Sequence, residues 1–309
     1  MRIASFNVPP LLRKAAKIAT AVFCVVCLVV FCERVWQGRS GIAASFTFFF
    51  SSPLLLCAEL FLMCANLALE TLRWKAVRSI FARGSLRDDA LATLRGVGLG
   101  NVTPANIGEH VGRAMSYSDK RSATLASVVA SVIQTAAIVT LGFISSILFS
   151  LLCDSPIPSE ATTFCLFGSI ASILTAALFF ILFRKRLPPR SVWGRRVAIA
   201  FALNLAKVSV FSLQLAILLS TGEPPSPLLF LAVAVYYFFV TVVPRVNIID
   251  VGVKGGLASW ILTPLCDGDV VASAVIFIWA LNIVVPSVVG YALLAVGNRC
   301  SNQGQPSDD

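Results

Sequence analysis

Two charged segments that contain proline lie within otherwise apolar sequence, and both carry the same pattern of residue types. Each has an asparagine, an acid three residues later and a base four residues after the acid. The residues are Asn106, Glu109 and Arg113 in the first segment and Asn247, Asp250 and Lys254 in the second. Because residues four apart share one face of an α-helix, each acid is close enough to pair with its base. Apolar surroundings tolerate such groups where they face protein or a water-filled cavity, so the pattern predicts a buried polar site.

An anionic ligand would suit the chemistry of these two segments. Arg113 and Lys254 can bind a phosphate, while Glu109 and Asp250 keep the empty site neutral. The glycines before Pro104 can also expose a helix N-terminus, whose N–H groups attract anions. The predicted substrate-binding residues are Thr103, Asn106, Glu109, Arg113, Asp250 and Lys254. The alternative is that both ion pairs are structural and only fix the packing of their segments.

Two further acids are candidates for proton coupling. Glu59 and Glu70 share one face of a predicted helix with Asn66. Glu59 is deep by position, and a lone acid there either carries a transported proton or is a neutral, hydrogen-bonded group. Glu70 lies near the end of the helix with Arg73 three residues on, which favours a surface ion pair. We keep Glu70 as the second proton-coupling candidate.

Metal and triad chemistry is not expected. His110 is the only histidine in the sequence, and one histidine builds neither a metal site nor a Ser/His/Asp triad. We therefore predict no metal, no cofactor and no enzymatic activity. Two other polar residues within apolar runs have ordinary explanations. Lys207 can extend its amine toward the cytoplasm, and Gln214 is typical of hydrogen bonding between helices.

Composition identifies the class of protein that must position these residues. The 309 residues are 57% hydrophobic and 13% charged, whereas a soluble domain carries about 25% charged residues. Apolar runs of roughly 20 residues, the length that crosses a bilayer, recur along the chain. The net charge of +10 comes from short loops between these runs, which disfavours nucleic acid as a partner. We predict an all-α polytopic helical membrane protein with a single domain over 1–309.

The predicted layout has six full spans and two broken helical hairpins. The spans are about 15–32, 42–72, 122–152, 161–183, 197–221 and 270–297. The hairpins, at about 90–113 and 227–264, each contain one charged segment and enter from opposite sides of the membrane. Paired interrupted segments in the two halves of a chain are typical of transporter binding sites. Residues 300–309 are predicted to be a short disordered tail.

The distribution of basic residues predicts the orientation. Most of the 25 Lys and Arg residues fall in one set of loops and ends, which the positive-inside rule assigns to the cytoplasm. We predict a multi-pass protein of a bacterial-type cytoplasmic membrane with both termini cytoplasmic. Cys153 and Cys266 fall in predicted outer loops, and the sequence leaves open whether they form a disulfide. The oligomeric state also stays open.

Several motifs resemble those of a known family of membrane proteins. They are Asn66-x3-Glu70-x2-Arg73-Trp74-Lys75, Thr103-Pro104-x3-Gly108-Glu109-x2-Gly112-Arg113 and Pro244-x5-Asp250-x-Gly252-Val253-Lys254-Gly255. Their order and spacing resemble the lysylphosphatidylglycerol synthase transmembrane region, a flippase-like family. The third motif usually carries Glu and Arg in that family, where this chain has Asp250 and Lys254. The first hairpin often has a basic residue in that family, where this chain has Asn106.

The resemblance implies a helical membrane domain that moves a polar-headed lipid between leaflets. Its expected partners are membrane lipids with anionic headgroups. It implies no aminoacyl-lipid synthesis, since it does not extend to the soluble transferase domain of larger relatives. The residues by themselves leave two alternatives open. One is a secondary transporter of a small anionic solute, and the other is a membrane-embedded transferase that modifies lipids, with Glu109 or Asp250 as its base.

Overall fold

The computed structural model describes residues 10–81, 83–103, 106–152, 163–164, 167–170, 174, 190–243 and 250–302. The helices are α1 Pro10–Gln37, α2 Arg39–Ser51, α3 Pro53–Phe81, α4 Leu86–Val102, α5 Ile107–Ala114, α6 Lys120–Leu152, α7 Arg190–Leu219, α8 Pro227–Val242, α9 Asp250–Leu262, α10 Gly268–Trp279 and α11 Val285–Asn302. A π-helical segment, Ala280–Val284, joins α10 to α11. No strand occurs in the described ranges, which confirms the predicted all-α class.

Within these residues, four helical segments are long and apolar enough to cross a membrane. They are Pro53–Phe81, Lys120–Leu152, Trp193–Leu219 and Gly268–Leu293. The sequence predicts six full spans, so the structure supports a multi-pass helical membrane protein but not that number. The predicted span at 15–32 lies inside α1, and the one at 161–183 lies mostly outside the described residues. Cys153 and the predicted tail beyond Asn302 also lie outside them.

The predicted span at 42–72 is wrong in its boundaries. The chain forms α2, leaves helical geometry at Ser52 and starts a new helix at Pro53. Proline disfavours helical geometry in the residue before it but is tolerated in the first turn of a helix. At its other end, α3 runs to Phe81, nine residues beyond the predicted end of the span.

The first broken hairpin is a pair of short helices, α4 and α5. Asn106 begins α5 with a left-handed backbone at φ 61°, a conformation that asparagine tolerates better than most residues. The Thr103 hydroxyl accepts a hydrogen bond from the Gly108 N–H at 2.6 Å, which closes the turn. The two helices then pack closely enough that a Cβ atom at Gly112 would lie 2.5 Å from the Arg95 carbonyl oxygen.

Replacing Gly112 with alanine is therefore expected to force α5 away from α4. The added methyl would meet backbone rather than a flexible side chain, and overpacking of this kind costs about 1–3 kcal/mol of stability. Gly194, on α7, offers a matched control because nothing lies within 4 Å of its Cβ position. Thermal denaturation in detergent should show a lower midpoint for Gly112→Ala than for wild type. The midpoint of Gly194→Ala should be unchanged. Equal midpoints for the two variants would contradict the close packing.

The second broken hairpin, α8 and α9, flanks residues 244–249, which lie outside the described residues. Helix α8 begins at Pro227, with Ser226 accepting a hydrogen bond from the Leu229 N–H at 3.1 Å. Helix α9 packs against α1, α8 and α10 and contributes to the largest apolar core, which includes Leu257, Ile261 and Leu262. Asp250 lies in the first turn of α9.

The distribution of polarity is inverted relative to a soluble protein. One face of α1 exposes Val22, Val25 and Val29, whereas Glu70 and Arg113 are buried in the interior. Exposed apolar faces around buried charged side chains are what a bilayer requires, since ionised groups must face protein or water. This arrangement agrees with the multi-pass class.

An interior polar network anchors α3 to α4 and to the turn after α5. The Arg78 guanidinium donates to both carboxylate oxygens of Asp89, at 2.8 and 2.7 Å. Asp89 also accepts from the Tyr117 hydroxyl at 2.7 Å, and that hydroxyl accepts from the Trp74 indole N–H at 2.8 Å. Burial raises the pKa of the Tyr117 phenol, as does its hydrogen bond to Asp89, so the phenol stays a donor. The network fixes the position of Trp74 beside the site described next.

Candidate functional site

A cavity of about 510 Å³ lies among the helices and carries charged groups from four of them. Glu70 comes from α3, Glu109 and Arg113 from α5, Lys207 from α7 and Lys254 from α9. The rest of its wall mixes apolar side chains such as Val208, Phe211 and Leu215 with polar ones such as Gln134 and Asn204. A cavity that has both charged groups and apolar surface suits an amphiphilic molecule, and its volume falls within the roughly 300–1,000 Å³ of ligand pockets.

Glu70 is the centre of the charged cluster. Its Oε1 atom accepts from Arg113 at 2.5 Å and from Arg73, and its Oε2 atom accepts from Lys207 at 2.5 Å. The carboxylate is 5% exposed, so the expected surface pair with Arg73 is wrong: the pair forms in the interior. Three cations around one carboxylate favour its ionised form, which argues against Glu70 as a proton carrier.

Glu109 and Arg113 form the first predicted ion pair. Glu109 Oε1 lies 2.5 Å from an Arg113 Nη2 atom, and the second Glu109 oxygen accepts from the side-chain amide of Asn106. Thr103 holds the turn that precedes these residues. The i, i+4 spacing on α5 thus brings acid and base together, and Arg113 is shared between Glu109 and Glu70.

Arg113 retains unused hydrogen-bonding capacity. It is 1% exposed, and its Nε and Nη1 atoms have no hydrogen-bond partner. Its guanidinium lies 4.9 Å from the centre of the Trp74 ring, a cation–π contact that holds the plane of the group. Its Nη2 atom makes both ion pairs, so Arg113 joins Glu109 to Glu70 at the cavity wall.

The second predicted ion pair lies where two cavities adjoin. Asp250 Oδ2 and Lys254 Nζ are 2.5 Å apart. Lys254 lines the larger cavity, and Asp250 lines a smaller one of about 190 Å³ together with Thr103. Asn106 and Ile283 line both cavities. The six residues predicted for substrate binding thus line two neighbouring cavities, and residues of the π-helical segment line both.

Glu59, the first proton-coupling candidate, lies apart from this cluster at the interface between α3 and α7. It is 0% exposed. Its Oε2 atom accepts from the Gln214 amide at 3.2 Å, and Gln214 in turn accepts from Asn66 at 2.8 Å. This arrangement bears out the expectation that Gln214 hydrogen-bonds between helices.

Lys207 is a cavity residue that the sequence did not identify. The expectation that it extends toward the cytoplasm is wrong, because its amine is held by Glu70, 137 residues earlier in the chain. Arg73 lies behind the cavity wall, where its guanidinium donates to Glu70 and to the Ala130 carbonyl at 3.0 Å. A base at mid-helix in an apolar run is the signal that could have found Lys207, since such residues tend to face a partner.

The charges do not balance within the central cluster. Among the residues that the structure describes, Arg73, Arg113 and Lys207 pair with only two acids, Glu70 and Glu109, and the Asp250–Lys254 pair is neutral. One positive charge is therefore in excess, which favours an anion in the cavity. No cluster of three His, Cys, Asp or Glu side chains occurs in the part of the chain that the structure describes. No protein-family model and no curated protein matches this chain.

Proposed function

We propose that this protein is an integral membrane translocator that moves a lipid with an anionic headgroup between leaflets. The observation that carries the proposal is the buried cluster at the cavity, in which Arg73, Arg113 and Lys207 pair with only two acids among the described residues, Glu70 and Glu109. The headgroup phosphate would contact the charged groups that line the cavity. The apolar walls would accommodate the start of the acyl chains.

The topology that this function needs is part of the proposal. The α4–α5 and α8–α9 hairpins would enter from opposite sides, and six spans would enclose them. The two helices α4 and α5 have 17 and 8 residues, so each is shorter than the roughly 20 residues that cross a bilayer. We assign the protein to a bacterial-type cytoplasmic membrane with both termini cytoplasmic.

The family resemblance supports the same function. Glu70, Glu109 and Arg113, which belong to the motifs that resemble the lysylphosphatidylglycerol synthase transmembrane region, lie together at the cavity. Motif residues from distant parts of the chain therefore share one site. We propose membership of this family on that basis.

Lipid transfer in liposomes tests the function. Purified protein is reconstituted with a fluorescent phosphatidylglycerol or phosphatidylcholine, and the fraction reaching the opposite leaflet is followed by chemical quenching. Wild type is expected to move the anionic lipid faster than protein-free liposomes do. The Glu109→Gln/Asp250→Asn variant should move it at least about tenfold more slowly, equivalent to about 1.4 kcal/mol of lost stabilisation.

Two further variants make the test specific. Arg113→Lys keeps the charge but removes the planar donors, so it should slow transfer while preserving the fold. Glu223→Gln, on an exposed turn between α7 and α8, should leave transfer unchanged. Equal transfer by wild type and the double variant would overturn the proposal. Thermal stabilisation by inorganic phosphate or a small organic anion, without lipid transfer, would instead identify a solute transporter.

A further inference from the structure

We propose that Glu59 is a proton-binding site and that its protonation is coupled to lipid movement through the interface between α3 and α7. The coupling rests on the proposed translocation, whereas the proton site itself does not.

Glu59 is a buried acid without a cationic partner. Glu70, Asp89, Glu109 and Asp250 all form ion pairs with Arg or Lys, but in the described part of the chain no Lys or Arg nitrogen lies within 4.0 Å of Glu59. Its Oε2 atom accepts one hydrogen bond from Gln214, and its Oε1 atom has no partner. An unpaired carboxylate with an unsatisfied oxygen is costly to bury.

The surroundings identify the ligand as a proton. Helix α7 presents the neutral amide of Gln214, and α8 presents the phenol of Tyr237, which is close enough to interact electrostatically with Glu59. Along α3 and α7 the next charged groups are Glu70 and Lys207, and α6 and α8 carry charged side chains only in the first turn of α6. A metal ion would need more oxygen ligands than one carboxylate provides. Proton binding forms one O–H bond and leaves the acid neutral, with no other change in bonding.

Glu59 and the charged cluster lie on the same contact between α3 and α7, and we call the polar side chains of this contact the α3–α7 polar row. It consists of Glu59, Asn66 and Glu70 on α3 and Lys207 and Gln214 on α7. Gln214 bonds to Glu59 and Asn66, and Lys207 bonds to Glu70. The row follows α3 for about 16 Å, at 1.5 Å per residue from Glu59 to Glu70.

Binding events at the two ends of the row can both change the packing of α3 against α7. At one end, an anionic headgroup in the cavity competes with Glu70 for Lys207, which lines the cavity. At the other end, loss of the Glu59 proton places a charge between the helices and favours a hydrated, separated arrangement. Two ligands that bias one equilibrium between two packings are thermodynamically coupled. Leu215, the residue after Gln214, also lines the cavity, so this interface forms part of its wall.

The proton itself can be detected without a transport assay. Infrared spectra of the purified protein at neutral pH should contain the carbonyl band of a protonated carboxylic acid. The band should be lost in Glu59→Gln, should shift in Glu59→Asp and should persist in the surface control Glu223→Gln. An unchanged band in Glu59→Gln would overturn the proton site.

Coupling is tested in liposomes with a pH difference across the membrane. The wild-type transfer rate should change by up to about tenfold per pH unit, the limit for one titrating group. Glu59→Gln should transfer lipid at a rate independent of the gradient, and Glu59→Asp should retain the response. A gradient response in Glu59→Gln equal to that of wild type would overturn the coupling and leave translocation intact.

Two outcomes separate this inference from its alternatives. If the infrared band depends on Glu59 but wild type moves no lipid, the proton site stands, while the coupling and the proposed function fail. Replacing sodium with choline should leave the wild-type gradient response unchanged. Loss of the response in choline would assign Glu59 to a metal cation and overturn the proton assignment.

Discussion

Replacing Glu70 with glutamine is expected to lower the free energy of unfolding by about 3–5 kcal/mol, the usual cost of removing one partner from a buried ion pair. The reason is that Arg73, Arg113 and Lys207 all donate to this carboxylate. Glutamine has the same size but no charge, so three cations would then face Glu109 alone. The measurement is the midpoint of chemical denaturation in detergent, followed by circular dichroism.

The effect should be electrostatic, and a second substitution tests this. In Glu70→Gln/Lys207→Met the uncompensated amine is gone, so part of the lost stability should return. The matched control is Glu223→Gln, which removes an exposed carboxylate and should change the midpoint little. If the double variant is less stable than Glu70→Gln alone, repulsion among the cations is not the cause.

Replacing Asp89 with asparagine is expected to have an effect of similar size, about 3–5 kcal/mol, because it leaves the Arg78 guanidinium buried without its counter-charge. Asp89 is 0% exposed and accepts two hydrogen bonds from Arg78 and one from Tyr117. Its loss would separate the N-terminal part of α4 from α3.

Asp88, the preceding residue, is a matched control for Asp89. It is partly exposed and caps α4, accepting from the Ser85 N–H at 2.9 Å, and these hydrogen bonds to Ser85 lower the pKa of its carboxyl. Asp88→Asn should cost about 1 kcal/mol or less, as for other helix caps. Thermal denaturation of both variants gives the comparison. If the two variants lost the same stability, the buried ion pair would not be what holds α4 against α3.

The sequence was sufficient for contacts that depend on spacing along one helix. The i, i+4 pattern placed Glu109 beside Arg113 and Asp250 beside Lys254, and both pairs are present at 2.5 Å. It was also sufficient for the helical membrane class, because apolar run length is a local property. The roles of these residues remain predictions that the experiments above test.

The sequence did not predict contacts between helices that are far apart along the chain. The role of Glu70 was misjudged because the predicted helix ended at residue 72, which put Glu70 close to its end. The helix instead runs from Pro53 to Phe81, so Glu70 is eleven residues from its end, and its side chain is buried. Lys207 was missed for a related reason: its partner depends on how α7 packs on α3, and spacing within one helix carries no information about that.

The π-helical segment Ala280–Val284 has a consequence for the alignment of the last helix with α4. A π turn holds one residue more than an α turn, so it shifts the phase of everything that follows. If the same residues wound as a regular α-helix without the π turn, the downstream side chains would be rotated by about 100° about the helix axis. Ser287, whose hydroxyl accepts from the Asn101 amide at 2.5 Å, would then point elsewhere. The extra residue therefore sets which side of α11 meets the hairpin.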